Sequence, residues 1–201
     1  MIRGEATIVI PSLDLARAAV TGAVARASAG TEAYVVIVSD FARRGGIRAA
    51  NAGFRAGIEL ETPYVVYLND DTTFPKTRWL ARLIDALEEE PTYGIACPSG
   101  GGRGDSPQER AGMNEPPGTV VVDAPLVWGC AVMKRAMLVE IGLFDPILIH
   151  YAGDSDLTRR AQAAGWKSVW VRDAYVGHEG NTIDVAWKRR DKGIYLKRWG
   201  R

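Results

Sequence analysis

Four short stretches carry residue types and spacings suited to chemistry. They are Asn69, Asp70 and Asp71 in "YVVYLNDDT", Asp40 at the end of "YVVIVSD", Asp154 and Asp156 in "HYAGDSDLTRRAQAAGW", and His178 in "DAYVGHEG". Adjacent carboxylates at the end of the apolar run Val65 to Leu68 repel one another unless something positive lies between them. A divalent cation held by one or two carboxylates and completed by phosphate oxygens and water is the usual arrangement for Mg²⁺ or Mn²⁺ with a nucleotide. The same residue types also build turns and helix N-caps, and the sequence leaves both roles open. Asp154 or Asp156, at the start of an amphipathic helical stretch, is either a cap or a general base for a hydroxyl. A histidine in a polar segment after a strand is structural, exposed or a metal ligand.

These groups need a scaffold, and the first half of the chain spells one. Short β-branched runs at Ala6–Pro11, Tyr34–Asp40, Tyr64–Asp70 and Gly94–Pro98 alternate with helical stretches at Leu13–Ala29, Ile47–Leu60 and Arg78–Glu90. Apolar strands alternating with helices predict an α/β fold, a mostly parallel central sheet flanked by helices on both faces, with right-handed crossovers. Ligands bind beyond the carboxyl ends of such strands, so Pro11, Ser12, Asp40, Asn69, Asp70 and Asp71 are expected on one rim. The second half predicts strands near Val120–Val122 and Ser168–Val171, and helices near Arg135–Ile141 and Ser155–Ala164. Between the halves, Ser99–Gly118 is dense in Gly, Pro and charge and predicts a functional or mobile loop.

Composition narrows the class. With 201 residues, 47% hydrophobic and 24% charged, the chain is long enough for one domain burying roughly 70% of its unfolded surface. A formal net charge of +1 argues against a globally basic nucleic-acid binder, and no specific nucleic-acid partner is expected. No run of about 18 apolar residues and no basic-then-apolar leader occurs, which predicts a cytoplasmic protein. Cys97 and Cys130 lack the spacing of a zinc site or redox pair and read as small core residues. Neither G-x-x-x-x-G-K-[ST] nor G-x-G-x-x-G is present, so no phosphate-cradling glycine loop is expected.

Taken in order, "TIVIPS", "VIVSD", "IRAANAGFRAG", "YVVYLNDDT" and "GLFDPILIHYAGDSDLTRRAQAAGWKSVWVRDAYVGHEG" resemble the inverting glycosyltransferases of family 2, in their rhamnosyltransferase-like branch, over roughly residues 5 to 180. The resemblance implies the GT-A (nucleotide-diphospho-sugar transferase) fold across 1–182. It divides into a nucleotide-sugar half at 5–98, a mobile loop at 99–118 and an acceptor-side half at 119–182. It also implies a reaction: a sugar passes from a nucleotide-diphosphate sugar to an acceptor hydroxyl, on a glycan or lipid-linked acceptor, with Mn²⁺ or Mg²⁺ at the diphosphate. Roles follow position by position. Pro11, Ser12 and Asp40 would line the donor nucleotide, and Arg48 and Asn51 on the second helix would join them. Asn69 or Asp70 would approach the ribose or sugar, and Asp71 would ligate the metal with help from His178. Asp154 would be the base, with Asp156 as its alternative.

Three departures from the family pattern matter. Gly153 stands where a Glu is usual, Asn69 opens the Asp-x-Asp element, and "FARRGGIRAA" lacks the usual Ser and second Asp after Asp40, leaving Arg43, Arg44 and Arg48 as phosphate contacts or solvated surface. A catalytically silent sugar- or nucleotide-binding module would account for the first two as decay. A sugar-phosphate nucleotidyltransferase would need a Gly-rich basic loop where "PSLDLARAA" stands. The tail at 183–201 mixes Trp187, Tyr195 and Trp199 with Lys and Arg, the composition of an element that meets anionic membrane surfaces. Peripheral contact with the inner membrane face is one reading, and a solvated helix or packing segment is the other.

Overall fold

The structure is a computed structural model and describes residues 5–100, 107–125, 128–179 and 184–200. Its first strands, β1 (Ala6–Ser12), β2 (Ala33–Ser39) and β3 (Tyr64–Leu68), lie side by side and parallel in the order β2-β1-β3. Alternate residues of these strands are buried on opposite faces. Ile8, Ile10, Val66 and Leu68 join one apolar cluster with α1 (Leu15–Ser28) and α3 (Trp79–Glu88). Val9 and Val65 join a second cluster with α2 (Gly46–Glu59). Because both faces are covered, the strands read as unbroken apolar runs rather than alternating ones.

Beyond β3 the sheet becomes mixed. With β4 (Thr72–Thr73), β5 (Tyr93–Gly100), β7 (Cys130–Lys134) and β8 (Lys167–His178) added, its order is β2-β1-β3-β7-β5-β8-β4, and β6 (Thr119–Val122) pairs with β8 off this path. β5 and β8 are parallel to each other, while β7 runs antiparallel between β3 and β5. Five of the eight strands therefore share one direction, as a mostly parallel sheet requires. The second face is completed by α5 (Arg135–Ile141) and α6 (Gly153–Ala163), whose Met137, Leu138, Leu157 and Ala161 pack with Phe54 and Met133. Among the described residues, no helix is long and apolar enough to cross a membrane.

Several boundaries differ from the sequence reading. β7 was hidden because "CAVMK" runs into α5 without a turn residue. β8 continues seven residues past Val171, through the polar Arg172 and Asp173, with a register shift against β5 between Pro98 and Ser99. That extension returns His178 to the two-residue strand β4 (Thr72–Thr73), where it lies opposite Thr72. Of the expected loop at 99–118, Ser99 and Gly100 belong to β5 and Pro107–Arg110 form the short helix α4, while 101–106 lie outside the described residues.

The basic tail is α7 (Val185–Trp199), N-capped by Asp184, which accepts from the Trp187 N–H. Its inner face is docked, for Asp191 is fully buried and Trp187 lies against His150 with ring centroids 6.1 Å apart. On that face the tail is a packing segment.

Candidate active site

Strand ends bring Ser12, Asp40 and Asp70 together at one rim as expected. Asp70 is 9% exposed and has a partner on each oxygen: Arg17 Nη2 donates to its Oδ1 at 2.8 Å, and the Ser12 hydroxyl donates to its Oδ2. Thr21 adds a bond to the Asp70 carbonyl at 2.7 Å. Ser12 in turn accepts the Asp14 N–H at 2.8 Å, and Asp14 caps α1 through the Arg17 N–H at 3.0 Å. The acidic residue at the tip of β3 is therefore tied to the strand end of β1 and to α1. Arg17 went unnoticed in the sequence because a lone arginine in an alanine-rich helix carries no spacing signal toward a residue 53 positions away.

Asp40 closes its own loop, accepting the Arg44 and Gly45 N–H groups at 2.9 Å each. Gly45 sits at φ +109°, and a Cβ there would lie 2.2 Å from the Ile149 carbonyl, so only glycine allows this approach to α2. Each Asp40 oxygen keeps a further lone pair for a ligand. Pro11 stands beside Val38 at the same rim, and Arg48 is exposed on α2. Asn51 is different. Its amide donates to the Phe144 carbonyl at 2.8 Å and accepts the Phe144 N–H at 3.0 Å, inside the second apolar cluster. Each end of the amide has a partner and the side chain is buried, which corrects its expected place against the nucleotide: it is a strut between α2 and the segment before α6.

The adjacent Asp71 is buried but not satisfied. Its Oδ1 lies 3.0 Å from His178 Nε2, which also lies 2.8 Å from the Asn69 amide nitrogen, while its Oδ2 is buried with no partner among the described residues. Burial alone would raise the Asp71 carboxyl pKa, but His178, a backbone hydrogen bond and the Arg17 charge together hold the group below its ordinary value. One imidazole nitrogen cannot serve both neighbours. Protonated, it suits Asp71 and opposes the amide, whereas with a free lone pair it suits the amide and opposes the carboxylate. Among the described residues no three His, Cys, Asp or Glu side chains cluster as a metal site, and the Asn69 amide faces His178 through its non-ligating nitrogen, so Asp71, with its orphaned oxygen, and His178 are the donors here that a divalent cation could take.

Asp154 stands on the first turn of α6. Its Oδ1 accepts the Ser155 N–H at 2.7 Å, and the Trp128 backbone N–H also reaches the carboxylate. Burial pushes its pKa up despite these bonds. The phenol of Tyr67 in β3 is raised by burial first and then by the charges of Asp154, Asp70 and Asp71, so all three carboxylates lie within electrostatic reach of one ring. Gly153 has a packing reason to be glycine, since a Cβ would lie 2.5 Å from Ile47 Cδ1.

Asp156, two residues on, is 1% exposed and points the other way. Its Oδ2 accepts from Arg160 Nε at 2.9 Å, and its Oδ1 from Arg198 Nη1 at 2.7 Å and Trp199 Nε1 at 2.9 Å. Three donors make it a cross-link between α6 and α7. This removes it as the alternative base.

No family model matches the chain, and a search of curated proteins finds no match. Solved structures do match. A mannosyltransferase, PcManGT from Pyrobaculum calidifontis, in complex with GDP-Man and Mn2+, is 17% identical over 100% of this chain and 66% of its own, with a TM-score of 0.70. GalNAc-T7 with UDP, GalNAc and Mn2+ is 17% identical over 90% of this chain and 45% of its own, at 0.66. Glucosyl-3-phosphoglycerate synthase from Mycobacterium tuberculosis, in complex with Mg2+ and UDP, is 14% identical over 98% and 80%, at 0.63. The chain thus spans 45% to 66% of the length of the first two. At these identities the likeness establishes the fold, and the fold is GT-A.

Proposed function

We propose that this GT-A chain is a metal-dependent inverting glycosyltransferase of the family 2 type, moving a sugar from a nucleotide-diphosphate donor to an acceptor hydroxyl. The observation that carries the reading is the Asp71 and His178 pair with its orphaned Asp71 Oδ2, at the strand-end rim where a GT-A fold receives its donor. Mn²⁺ or Mg²⁺ fits those donors, and when bound it offsets the charge that develops on the departing diphosphate. Pro11, Ser12 and Asp40 form the wall for the nucleotide, and Asp70, fixed by Arg17 and Ser12, holds the tip of β3 in shape beside it. Exposed Arg48 is placed to meet phosphate.

Asp154 takes the acceptor's proton on the oxygen that Ser155 does not occupy, while the hydroxyl attacks the anomeric carbon from the face opposite the diphosphate. A single displacement inverts the anomeric centre. Its raised pKa makes Asp154 a stronger base than an ordinary aspartate once ionised. A lipid-linked acceptor at the inner membrane face would meet the outer face of α7, which exposes Lys188, Arg189, Lys192 and Lys197 beside Val185 and Leu196. Flotation with phosphatidylglycerol vesicles at low salt should carry the protein up, and no flotation above a phosphatidylcholine control would remove that part.

The decisive experiment is thermal unfolding with UDP, GDP, dTDP and CDP, each with and without Mn²⁺, because ligands of the native state raise the midpoint. One nucleotide should shift the midpoint only when metal is present, and Asp71→Ala should lose that shift while unfolding cooperatively. Equal shifts in Asp71→Ala and the unaltered protein would take Asp71 out of the metal site. No shift with any nucleotide would favour a silent module.

A further inference from the structure

Asp154 is delivered by an irregular segment, residues 147–152, which contains neither helix nor strand. That segment is held from outside. The N–H groups of Ile149, His150 and Tyr151 converge on a single atom, Asp191 Oδ2 in α7, at 3.0, 2.8 and 3.0 Å. Three successive N–H groups turned to one point form an anion-binding concavity, and here the chain fills it with its own carboxylate. The second Asp191 oxygen accepts from Arg190 Nη1 at 2.6 Å, and that nitrogen also donates to the Ile147 carbonyl at 2.9 Å. Asp191 is fully buried; burial would raise its pKa, yet the backbone bonds and Arg190 hold it low.

The same helix grips the other side of Asp154. Arg198 and Trp199 bind Asp156 Oδ1, and Arg198 Nη2 binds Asp145 Oδ2 at 2.6 Å. Arg160 completes the frame, joining Asp156 to the carbonyls of Ile141 and Leu143 at 2.7 and 2.6 Å. The segment also reaches the donor half, where the Ile149 carbonyl accepts the Ile47 N–H at 3.2 Å at the start of α2. Among the described residues Asp154 bonds to Ser155 beside it and to the backbone of Trp128, 26 residues earlier, and to no group of α7. Its placement therefore also depends on what holds the residues on either side.

We propose that α7 is the positioning element of the acceptor-side base. Asp191 fixes the backbone of Ile149–Tyr151, and Arg198 with Trp199 fixes Asp156, so that the orientation of Asp154 is set from the far end of the chain. Asp191 is a positioning residue, and the assignment rests on Asp154 being the base.

The test follows the titration of the Asp154 carboxyl by ¹³C NMR in aspartate-labelled protein, its signal identified by its loss in Asp154→Asn. Asp191→Ala removes the atom that three N–H groups share, whereas Asp191→Asn keeps an oxygen there. In Asp191→Ala the Asp154 midpoint should fall toward the ordinary carboxylate range by about half a pH unit or more as water enters. Amides 149–151 should exchange about 10- to 100-fold faster, and Asp191→Asn should restore both most of the way. Should Asp191→Ala not fold, Arg198→Met at the rim is read instead, with the same direction expected. A folded variant whose Asp154 titrates as in the unaltered protein overturns the proposal, because a merely structural contact would lower stability without moving that midpoint. Mn²⁺ with UDP or GDP, added to the same samples, separates the two claims. Absence of nucleotide binding in the unaltered protein strikes the glycosyltransferase reading alone, and an unmoved Asp154 strikes this one alone.

Discussion

Two aspartates two positions apart show how sharply environment divides residues of one type. Asp154 lies close enough to Tyr67 for its charge to act on the phenol, while Asp156 is locked to Arg160, Arg198 and Trp199. Replacing Asp154 by Asn should leave metal-dependent nucleotide binding intact and slow transfer by roughly 10²-fold or more, read from nucleotide release in the presence of acceptor. A base must be ionised to act, and burial raises this one, so the rate should climb with pH through a midpoint above the ordinary carboxylate value. That limb should vanish in Asp154→Asn; a rate that stays level from pH 4 to 8 in the unaltered protein would count against Asp154. At this scale the sequence exposed the groups that sit in local motifs, namely Asp70, Asp71, Asp154 and His178. It could not expose the partners that define them. Arg17 meets Asp70 across 53 residues, and Asn51 meets Phe144 across 93, and nothing in local spacing encodes such contacts.

Elements were legible where burial writes a pattern. Strands covered on both faces appear as apolar runs, and α2 and α3 carry strong one-sided apolar stripes, so the first half of the fold emerged with only small shifts at its ends. The second half was harder because its strands violate local cues. β7 has no turn before α5, and β8 carries charged residues in its middle where Arg172 pairs with Glu115 and Asp173 with Arg82. Close approach of elements was legible only as glycine. Gly53 of α2 faces β1 so tightly that an added Cβ would lie 2.1 Å from Val9 Cγ1. Gly53→Ala should therefore overpack the helix on the strand that ends at Ser12, costing about 1–3 kcal/mol and lowering the midpoint by roughly 3–12 °C. Combining it with Val9→Ala should cost less than the sum of the two single changes. Strict additivity would mean that the helix is free to move away.

Across the whole molecule, buried and half-buried carboxylates tie the C-terminal half to the rest, and this gives stability a direction in pH. Asp173 anchors β8 to α3 through Arg82, Asp145 anchors α7 through Arg198, and Asp191 anchors the segment before α6. Burial raises each of these groups, but the hydrogen bonds and charges opposite outweigh it, so all three fall below their ordinary values. A carboxyl whose folded pKa lies below its unfolded one stabilises fully above the unfolded value, about 3.9, and that contribution is lost as pH falls through the folded value. Asp154 has the opposite sign: its ionisation is disfavoured in the fold, so its penalty grows as pH rises past the unfolded value. The unfolding midpoint should therefore change little between about pH 7 and 5 and drop steeply below about 4. Calorimetry at a series of pH values tests this directly. Asp191→Asn has one fewer low-lying carboxyl, so it should start less stable and lose less on acidification, its curve approaching that of the unaltered protein near pH 3. A parallel curve, offset equally at every pH, would mean that the anchor works by shape alone and that charge at Asp191 contributes nothing to holding α7 in place.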